Sequence, residues 1–289
     1  MSASVGGPGG LAFKAYEIEE LVDVYFFRRL GIVLAWAARA ARLSPNAVSI
    51  LAGLVGMIGG ALLASEAYDW LGVVLVFGYG VLDSTDGQLA RLTGQTSEWG
   101  RVLDGLAGYV THIAAYVAIL VRALNAGDSA WVIVAAVLAG VVTIVHAQLY
   151  DYHRTSYTSV VVKGRPSLVS SAGRSRGAVV ALYERMQRAV AGLHPDVEAA
   201  IAARAEGGVV ADGDRRRYRE RFLPIMPAWN VFGDNVRRFG IAAAVAAGHL
   251  EWFFAFVLLL NLPLVAVWGW QRRADARFLE EERARRVRA

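Results

Sequence analysis

The sequence predicts an all-α integral membrane protein with six transmembrane helices, preceded by an amphipathic helix on the membrane surface. The composition is the first reason. The 289 residues are 56% hydrophobic and the mean hydropathy is +0.40, which is too apolar for an ordinary soluble domain. The second reason is a series of six apolar segments, each close to the roughly 20 residues that a membrane-spanning helix needs. The third is that basic residues are concentrated in every second segment connecting these helices, as in membrane proteins whose loops lie alternately on the two sides of the membrane.

The N-terminal region, residues 1–42, is predicted to be a cytoplasmic segment ending in a juxtamembrane helix. Between 16 and 42, acidic, aromatic and basic residues recur at near-helical spacing, which is typical of a helix lying on a membrane surface. The alternative is a seventh span beginning near Val24. Four arginines in the segment argue against it: Arg28, Arg29, Arg39 and Arg42.

The predicted spans fall into two groups. The first helix begins at Ser44 and Pro45, a capping residue followed by a proline suited to a first helical turn. Residues 43–152 contain spans one to four, residues 230–271 contain spans five and six, and residues 272–289 form a cytoplasmic tail. The six candidate segments are 46–66, 69–91, 97–123, 130–152, 230–248 and 251–270.

The polar segment 153–229 separates the two groups and is predicted to be a cytoplasmic basic loop. Helical spacing is present at 177–193 and, after Pro195, at 196–205. The segment is too short to form a large hydrophobic core of its own. It is expected either to lie as a flap on anionic lipid headgroups or to be a run of charged residues exposed to solvent. Because the basic residues follow spans two, four and six, both termini are expected in the cytoplasm, in a bacterial inner or plasma membrane.

Charge and cysteine content exclude several kinds of function. The net charge is +5 and the pI about 9.6, a surplus that in a membrane protein indicates contact with anionic lipid, and no nucleic-acid partner is expected. The chain has no cysteine, so it can form neither a disulfide framework nor a thiolate metal site.

Carboxylates at the end of the second span are the strongest functional signal. In a helix, Asp83, Asp86, Gly87 and Ala90 share one face, beside side chains too small to block a ligand. An ionised aspartate at the membrane midplane costs about 3 kcal/mol on insertion scales, and neighbouring ones also repel each other. A bound Mg²⁺ or Mn²⁺ relieves both problems, and hard oxygen ligands suit such ions. The alternative is a structural polar cluster that binds nothing.

The stretch from Asp83 to Asp104 resembles the signature of CDP-alcohol phosphotransferases, the CDP-alcohol phosphatidyltransferase family, which reads D-x2-D-G-x2-A-R-x8-G-x3-D-x3-D. The "SPNAVS" start of the first span also resembles that family's helix entry. The resemblance covers 16–150 well and the last two spans only in outline. Seven signature positions are matched: Asp83, Asp86, Gly87, Ala90, Arg91, Gly100 and Asp104.

The resemblance implies a transfer reaction in phospholipid biosynthesis. A hydroxyl of an acceptor alcohol attacks the β-phosphorus of a CDP-linked donor such as CDP-diacylglycerol, and CMP leaves. Asp83, Asp86 and Asp104 would hold the divalent metal. Gly87, Ala90, Arg91 and Gly100 would shape the site for the CDP moiety. Expected partners are membrane lipids, the two substrates and a second copy of the chain in a homodimer.

The sequence departs from the signature at one position. The fourth aspartate, usually assigned as base and metal ligand, is replaced by Gly108. His112, one turn further on, could act as the base because imidazole has a suitable pKa. Alternatively the reaction is substrate-assisted, or the protein is a weak or inactive relative that binds CDP-alcohols or lipids.

Further charged residues and a different class of function stay open. Arg237 and Arg238 open the fifth span and could grip a phosphate of the acceptor or of a lipid; interfacial anchoring is the alternative. His146, Asp151 and His153, at the end of the fourth span, could bind a metal near the same membrane face; ordinary interfacial residues are the alternative. A six-span transporter with ion-carrying carboxylates is the competing class. The clustering of the aspartates at one end, without inverted repeats, argues against it.

Overall fold

The computed structural model describes residues 16–95, 97–166 and 190–288, and these residues are predominantly helical with no β-strand. The helices longer than one or two turns are α1 (Arg28–Ala40), α2 (Pro45–Leu62), α3 (Asp69–Thr93), α4 (Glu98–Asn125), α5 (Trp131–Tyr157), α6 (His194–Ala202), α7 (Asp212–Phe222), α8 (Asp234–Ala246), α9 (Trp252–Leu259) and α10 (Asn261–Arg288). Short π- or 3₁₀-helical and α-helical turns lie at Tyr16–Ile18, Asp23–Phe27, Glu66–Tyr68, Thr158–Val162, Leu223–Ile225, Met226–Trp229 and Asn230–Phe232. The predicted all-α class is therefore confirmed.

Four helical segments of the described chain are long and apolar enough to cross a membrane: Pro45–Leu62, Val102–Asn125, Trp131–Val162 and Trp252–Arg285. The predicted second span is the 25-residue helix α3, whose polar C-terminal half makes it less apolar than these four. The predicted fifth span is shorter than expected, because α8 has only 13 residues. The predicted tail, 272–289, is helical as far as residue 288, because it continues helix α10 (Asn261–Arg288).

Glycines allow α2 to pack closely against both neighbouring helices. The helix begins as predicted, with the Ser44 hydroxyl accepting a hydrogen bond from the Ala47 amide at 3.2 Å and Pro45 in the first turn. A Cβ at Gly60 would lie 2.6 Å from the Ala115 backbone nitrogen in α4, and one at Gly59 would lie 2.9 Å from the Val76 nitrogen in α3. Larger residues at these positions would separate the helices, so α2 holds α3 and α4 side by side.

The N-terminal segment packs on α3 and keeps an apolar outer face. Most of the predicted surface helix is helical, as the turn Asp23–Phe27 followed by α1. Its exposed apolar side chains are Leu21, Tyr25, Phe26, Leu30, Val33, Leu34 and Trp36. These side chains form an apolar surface that would be exposed to water if the helix were solvated. The amphipathic pattern of the sequence is therefore also present in the folded structure. Its position on a membrane surface stays a prediction.

The described part of the predicted cytoplasmic loop, 153–166 and 190–229, is tightly packed. It shares a hydrophobic core with the ends of α5 and α10, in which Tyr218, Phe222, Trp229 and Phe278 are almost completely buried. The helix predicted at 177–193 lies mostly outside the described residues, and the one predicted at 196–205 is α6. Sequence alone underestimated this core because α5 and α10, which lie outside the predicted loop for most of their length, contribute part of it.

Glu19 connects the N-terminal segment to the helices behind it. Its buried carboxylate accepts hydrogen bonds from Arg28 at 2.7 Å and from Arg154 at 2.9 Å. Burial alone would raise the pKa of Glu19, but Arg154 and Arg28 outweigh burial and hold this pKa below its ordinary value of 4.5.

We expect Glu19→Gln to lower the free energy of unfolding by about 3 kcal/mol, because it leaves two partly buried guanidinium groups without their carboxylate. A depressed folded-state pKa means that the wild-type advantage is complete above the ordinary value of 4.5 and is lost as the pH falls through the lower folded-state value. Thermal unfolding in detergent at several pH values measures both effects. Glu66→Gln is the control, since the Glu66 side chain is 89% exposed. Equal melting temperatures for the two variants would contradict the assignment.

Candidate active site

Two carboxylates from different helices meet at the centre of the site. Asp83 in α3 and Asp104 in α4 are close enough for their side chains to share a hydrogen bond. Both also line two separate cavities, one polar and one apolar. Because α2 packs against both helices, this contact depends on the close glycine packing described above. The pair therefore forms the boundary between two chemically different spaces.

The polar cavity has a volume of about 160 Å³ and is lined mainly by charged groups. Three arginines reach it from three parts of the chain: Arg28, Arg91 and Arg238. Guanidinium groups recognise phosphate oxygens through paired hydrogen bonds. Gly87 lies on the same wall, where a Cβ would come within 3.4 Å of the Arg91 guanidinium. The cavity thus has the donors and the space to hold a diphosphate.

The apolar cavity has a volume of about 570 Å³ and extends between α4 and α5. Aliphatic and aromatic side chains form most of its walls, among them Ile113, Val117, Leu120, Val137 and Ile144. Most of its polar groups lie towards the end formed by Asp83 and Asp104. Further along, the Tyr116 and Thr143 hydroxyls are hydrogen-bonded to each other at 2.6 Å. No arginine or lysine is among the described residues that line it.

The third motif carboxylate is turned towards another partner. Asp86 is buried and accepts a hydrogen bond of 2.5 Å from the Ser49 hydroxyl in α2. Over the described chain, no group of three or more His, Cys, Asp or Glu side chains is arranged as a metal site. Asp83 and Asp104 nevertheless fit a divalent cation, because two carboxylates in contact repel each other unless a proton or a cation lies between them.

His112 lies in the wall of the apolar cavity, on the same side as the carboxylate pair. Its Nδ1 lies 2.8 Å from the Gly108 carbonyl oxygen, which can only accept a hydrogen bond. Nδ1 therefore carries the hydrogen, and in the neutral ring the lone pair is at Nε2. Nε2 lies 3.6 Å from Asp234 Oδ1 in α8. Although His112 and Asp104 point in different directions around α4, the cavity is wide enough to include both.

The position of the missing fourth aspartate is partly occupied by a tyrosine. A Cβ at Gly108 would lie 3.1 Å from the Tyr79 hydroxyl oxygen. Tyr79 is buried, lines the apolar cavity and lies beneath the Arg238 guanidinium at 5.3 Å from its ring centre. A carboxylate at 108 would therefore need a small shift of Tyr79.

The two arginines predicted as phosphate ligands have different surroundings. Arg237 is 1% exposed and donates hydrogen bonds to the carbonyls of Phe232 and Gly233. Arg238 lines the polar cavity and donates to Asn235 at 2.6 Å. Arg237 thus caps the chain before α8, and only Arg238 is placed to meet a ligand phosphate.

We expect Arg238→Gln to raise the KM for a CDP-linked donor about tenfold, because one charge-assisted hydrogen bond to phosphate contributes about 1.5–3 kcal/mol. Arg29→Gln is the matched control, because Arg29 lies over the exposed Tyr25 ring and does not line the cavity. Steady-state kinetics with varied donor concentration measures the effect. An unchanged donor KM in Arg238→Gln would place the diphosphate elsewhere.

The remaining predicted residues lie outside the two cavity walls. Ala90 is half-buried on α3, and Gly100 packs near Asn46, whose side-chain oxygen would lie 3.0 Å from a Cβ at Gly100. Their proximity to a nucleotide stays a prediction. His146 and His153 are buried against Phe232 and Trp229, and neither histidine lines either cavity.

Sequence reasoning missed several wall residues. Tyr79 had a usable signal, because it lies one turn before Asp83 on the same face of α3. Asp23, Phe27 and Arg28 had none, since they reach the polar cavity from a segment more than fifty residues away in sequence.

Comparison with known proteins agrees with this geometry. Residues 42–172 match the family model described as CDP-alcohol phosphatidyltransferase. The matched region contains α2 to α5 and both carboxylates of the central pair. The family consists of membrane transferases that move a phosphoalcohol group in phospholipid synthesis. Among curated proteins and solved structures, none matches the chain significantly.

Proposed function

We propose that this protein is an integral membrane enzyme that transfers a phosphoalcohol group from a CDP-linked donor to an acceptor alcohol and releases CMP. One observation carries the proposal: the Asp83–Asp104 pair lies between a cavity rich in arginine and a cavity that contains a histidine. Phosphoryl transfer needs charge stabilisation on one side of the phosphorus and an activated hydroxyl on the other. The match of 42–172 to a transferase family supports the same reaction.

The polar cavity binds the donor's diphosphate in this proposal. Arg28, Arg91 and Arg238 surround the phosphate oxygens, and Gly87 leaves room for them. Asp83 and Asp104 would hold Mg²⁺ or Mn²⁺, and Asp86 could join them if its side chain left Ser49. A cation bound there would supply positive charge to the diphosphate and so favour departure of CMP. CDP-diacylglycerol is one candidate donor.

His112 is the proposed general base. With Nδ1–H donated to the Gly108 carbonyl, Nε2 can take the proton of the acceptor hydroxyl. Asp234 then stabilises the imidazolium that forms, since it already lies 3.6 Å from Nε2. The attacking oxygen forms a bond to the β-phosphorus as the bond to the CMP oxygen breaks, and the proton moves to His112.

The orientation in the membrane is a further part of the proposal. We place the protein in a bacterial inner or plasma membrane with both termini on the cytoplasmic side, which puts the polar cavity near the cytoplasmic face, and we propose six crossings and a homodimer. The exposed apolar faces of α1, α2, α4 and α5 support contact with lipid.

CMP release from purified protein in lipid nanodiscs tests the proposal. We expect CMP to form from a CDP-alcohol when Mg²⁺ and a hydroxyl acceptor are both present, and formation to stop with EDTA. Thermal stabilisation by the CDP-alcohol without CMP release would instead indicate a binding relative. Ion flux without CMP release would favour a transporter.

A further inference from the structure

We infer that the acceptor is a neutral lipid alcohol whose hydrocarbon body occupies the apolar cavity between α4 and α5. The inference rests on the proposed function and names the chemical class of the second substrate. It is carried by the two cavities meeting at one carboxylate pair, by the contrast between their walls and by the position of the histidine.

The geometry of the reaction decides which cavity admits the acceptor. In phosphoryl transfer the attacking and leaving oxygens lie roughly in line through the phosphorus. The arginines place the diphosphate, and hence the departing CMP, on the polar side of Asp83 and Asp104. The attacking hydroxyl therefore arrives from the opposite side, which is the apolar cavity.

The position of the proposed base agrees with this direction. His112 and Asp234 line the apolar cavity and are not part of the polar one. A hydroxyl that loses its proton to His112 must therefore be in the apolar cavity. The acceptor's oxygen becomes bonded to phosphorus, its proton goes to His112, and the phosphorus–oxygen electron pair leaves with CMP.

The walls of this cavity select against charged acceptors. A sugar phosphate or glycerol phosphate would bring a dianion, and serine would bring a carboxylate, into a space with no arginine or lysine among its described lining residues. Hydrocarbon chains, in contrast, would cover Ile113, Val117 and Val137 and gain from leaving water. Only one end of the cavity is polar, as an alcohol with a single reactive hydroxyl requires.

Gly140 offers a way to fill the cavity without disturbing the carboxylates. It lies in α5 and lines the apolar cavity, and a Cβ built there meets no atom within 4 Å. Gly269 in α10 is the matched control, because a Cβ there is equally free and the residue does not line either cavity. Both glycines are helical, so replacement by leucine has the same backbone effect at each.

The experiment measures transfer to dioctanoylglycerol, glycerol 3-phosphate, inositol 1-phosphate and serine, each with CDP-diacylglycerol and with CDP-ethanolamine as donor. We expect transfer to dioctanoylglycerol, and in Gly140→Leu a KM for it at least tenfold higher, with the donor KM unchanged and Gly269→Leu like wild type. Transfer to the phosphorylated acceptors or to serine, insensitive to Gly140→Leu, would overturn the inference. A raised KM for CDP-diacylglycerol alone would also overturn it, because the cavity would then hold the donor's acyl chains.

A binding measurement separates this inference from the proposed reaction. A diacylglycerol with a photoactivatable group in its acyl chain should label wild-type protein between α4 and α5. The labelling should fall at least fivefold in Gly140→Leu but not in Gly269→Leu. Absence of CMP release with every substrate pair would refute the proposed function, whereas equal labelling of wild type and Gly140→Leu would refute the acceptor class.

Discussion

Replacing Asp83 with asparagine is expected to abolish metal-dependent CMP release, with a loss of at least about 10³-fold in kcat/KM. Asp83 is in contact with Asp104 and lines both cavities, so it lies where metal, diphosphate and attacking hydroxyl would meet. Electrostatic stabilisation of developing charge is usually the largest single contribution to catalysis. An amide keeps the shape of the side chain but removes the negative charge that would hold the cation.

Two measurements make this prediction specific. Mn²⁺ binding followed by electron paramagnetic resonance should weaken together with activity. Asp69→Asn is the control, because Asp69 lies at the other end of α3 and pairs with Arg122 at 2.5 Å. If Asp83→Asn bound Mn²⁺ and a CDP-alcohol with wild-type affinity, the metal site would lie elsewhere.

The second large effect is expected at His112. General base catalysis contributes about 10²–10⁴-fold, so His112→Ala should lower kcat by that factor while the donor KM stays within about twofold. His249→Ala is the control, since the His249 side chain is 52% exposed and pairs with Glu251. Added imidazole should restore part of the lost rate in His112→Ala, which a purely structural role of His112 would not allow.

Gly108 provides an independent check of the same base. Gly108→Asp added to His112→Ala should give a rate at least tenfold higher than that of His112→Ala alone, because it supplies a carboxylate that can act as the base. Because a Cβ at 108 would lie 3.1 Å from the Tyr79 hydroxyl, the rescue should be larger when Tyr79→Phe is added. Full wild-type activity in His112→Ala would refute the role of His112 and indicate a substrate-assisted reaction.

Local patterns predicted much of the fold and part of the site. The helical class, the capped start of α2 at Ser44 and the position of the motif on α3 and α4 follow from apolar periodicity and residue spacing. The same spacing, with the resemblance built on it, placed Asp83 and Asp104 together, and the structure brings their side chains into contact. These features depend on residues that are close to each other in sequence, or on a motif spacing that resembles that of a known family.

Features that depend on long-range packing could not be read from the sequence. Arg28 enters the polar cavity only because the N-terminal segment folds back onto α3 and is held by Glu19 and Arg154. From the sequence, Arg237 and Arg238 are equally good candidates for binding a phosphate. In the structure, backbone carbonyls occupy the Arg237 guanidinium and not that of Arg238. The length of α8 was overestimated because hydropathy does not reveal where a helix begins.

The most direct measurement follows the β-phosphate of the donor. The protein in nanodiscs is given a CDP-alcohol labelled with ³²P at the β-position, Mg²⁺ and an acceptor alcohol, and the products are separated. Our account predicts that the label appears in the product formed with the acceptor, in amounts equal to the unlabelled CMP released, and that both vanish in Asp83→Asn. Label that remains in the CDP-alcohol, or that appears only as the free phosphoalcohol after hydrolysis whatever the acceptor, would contradict it.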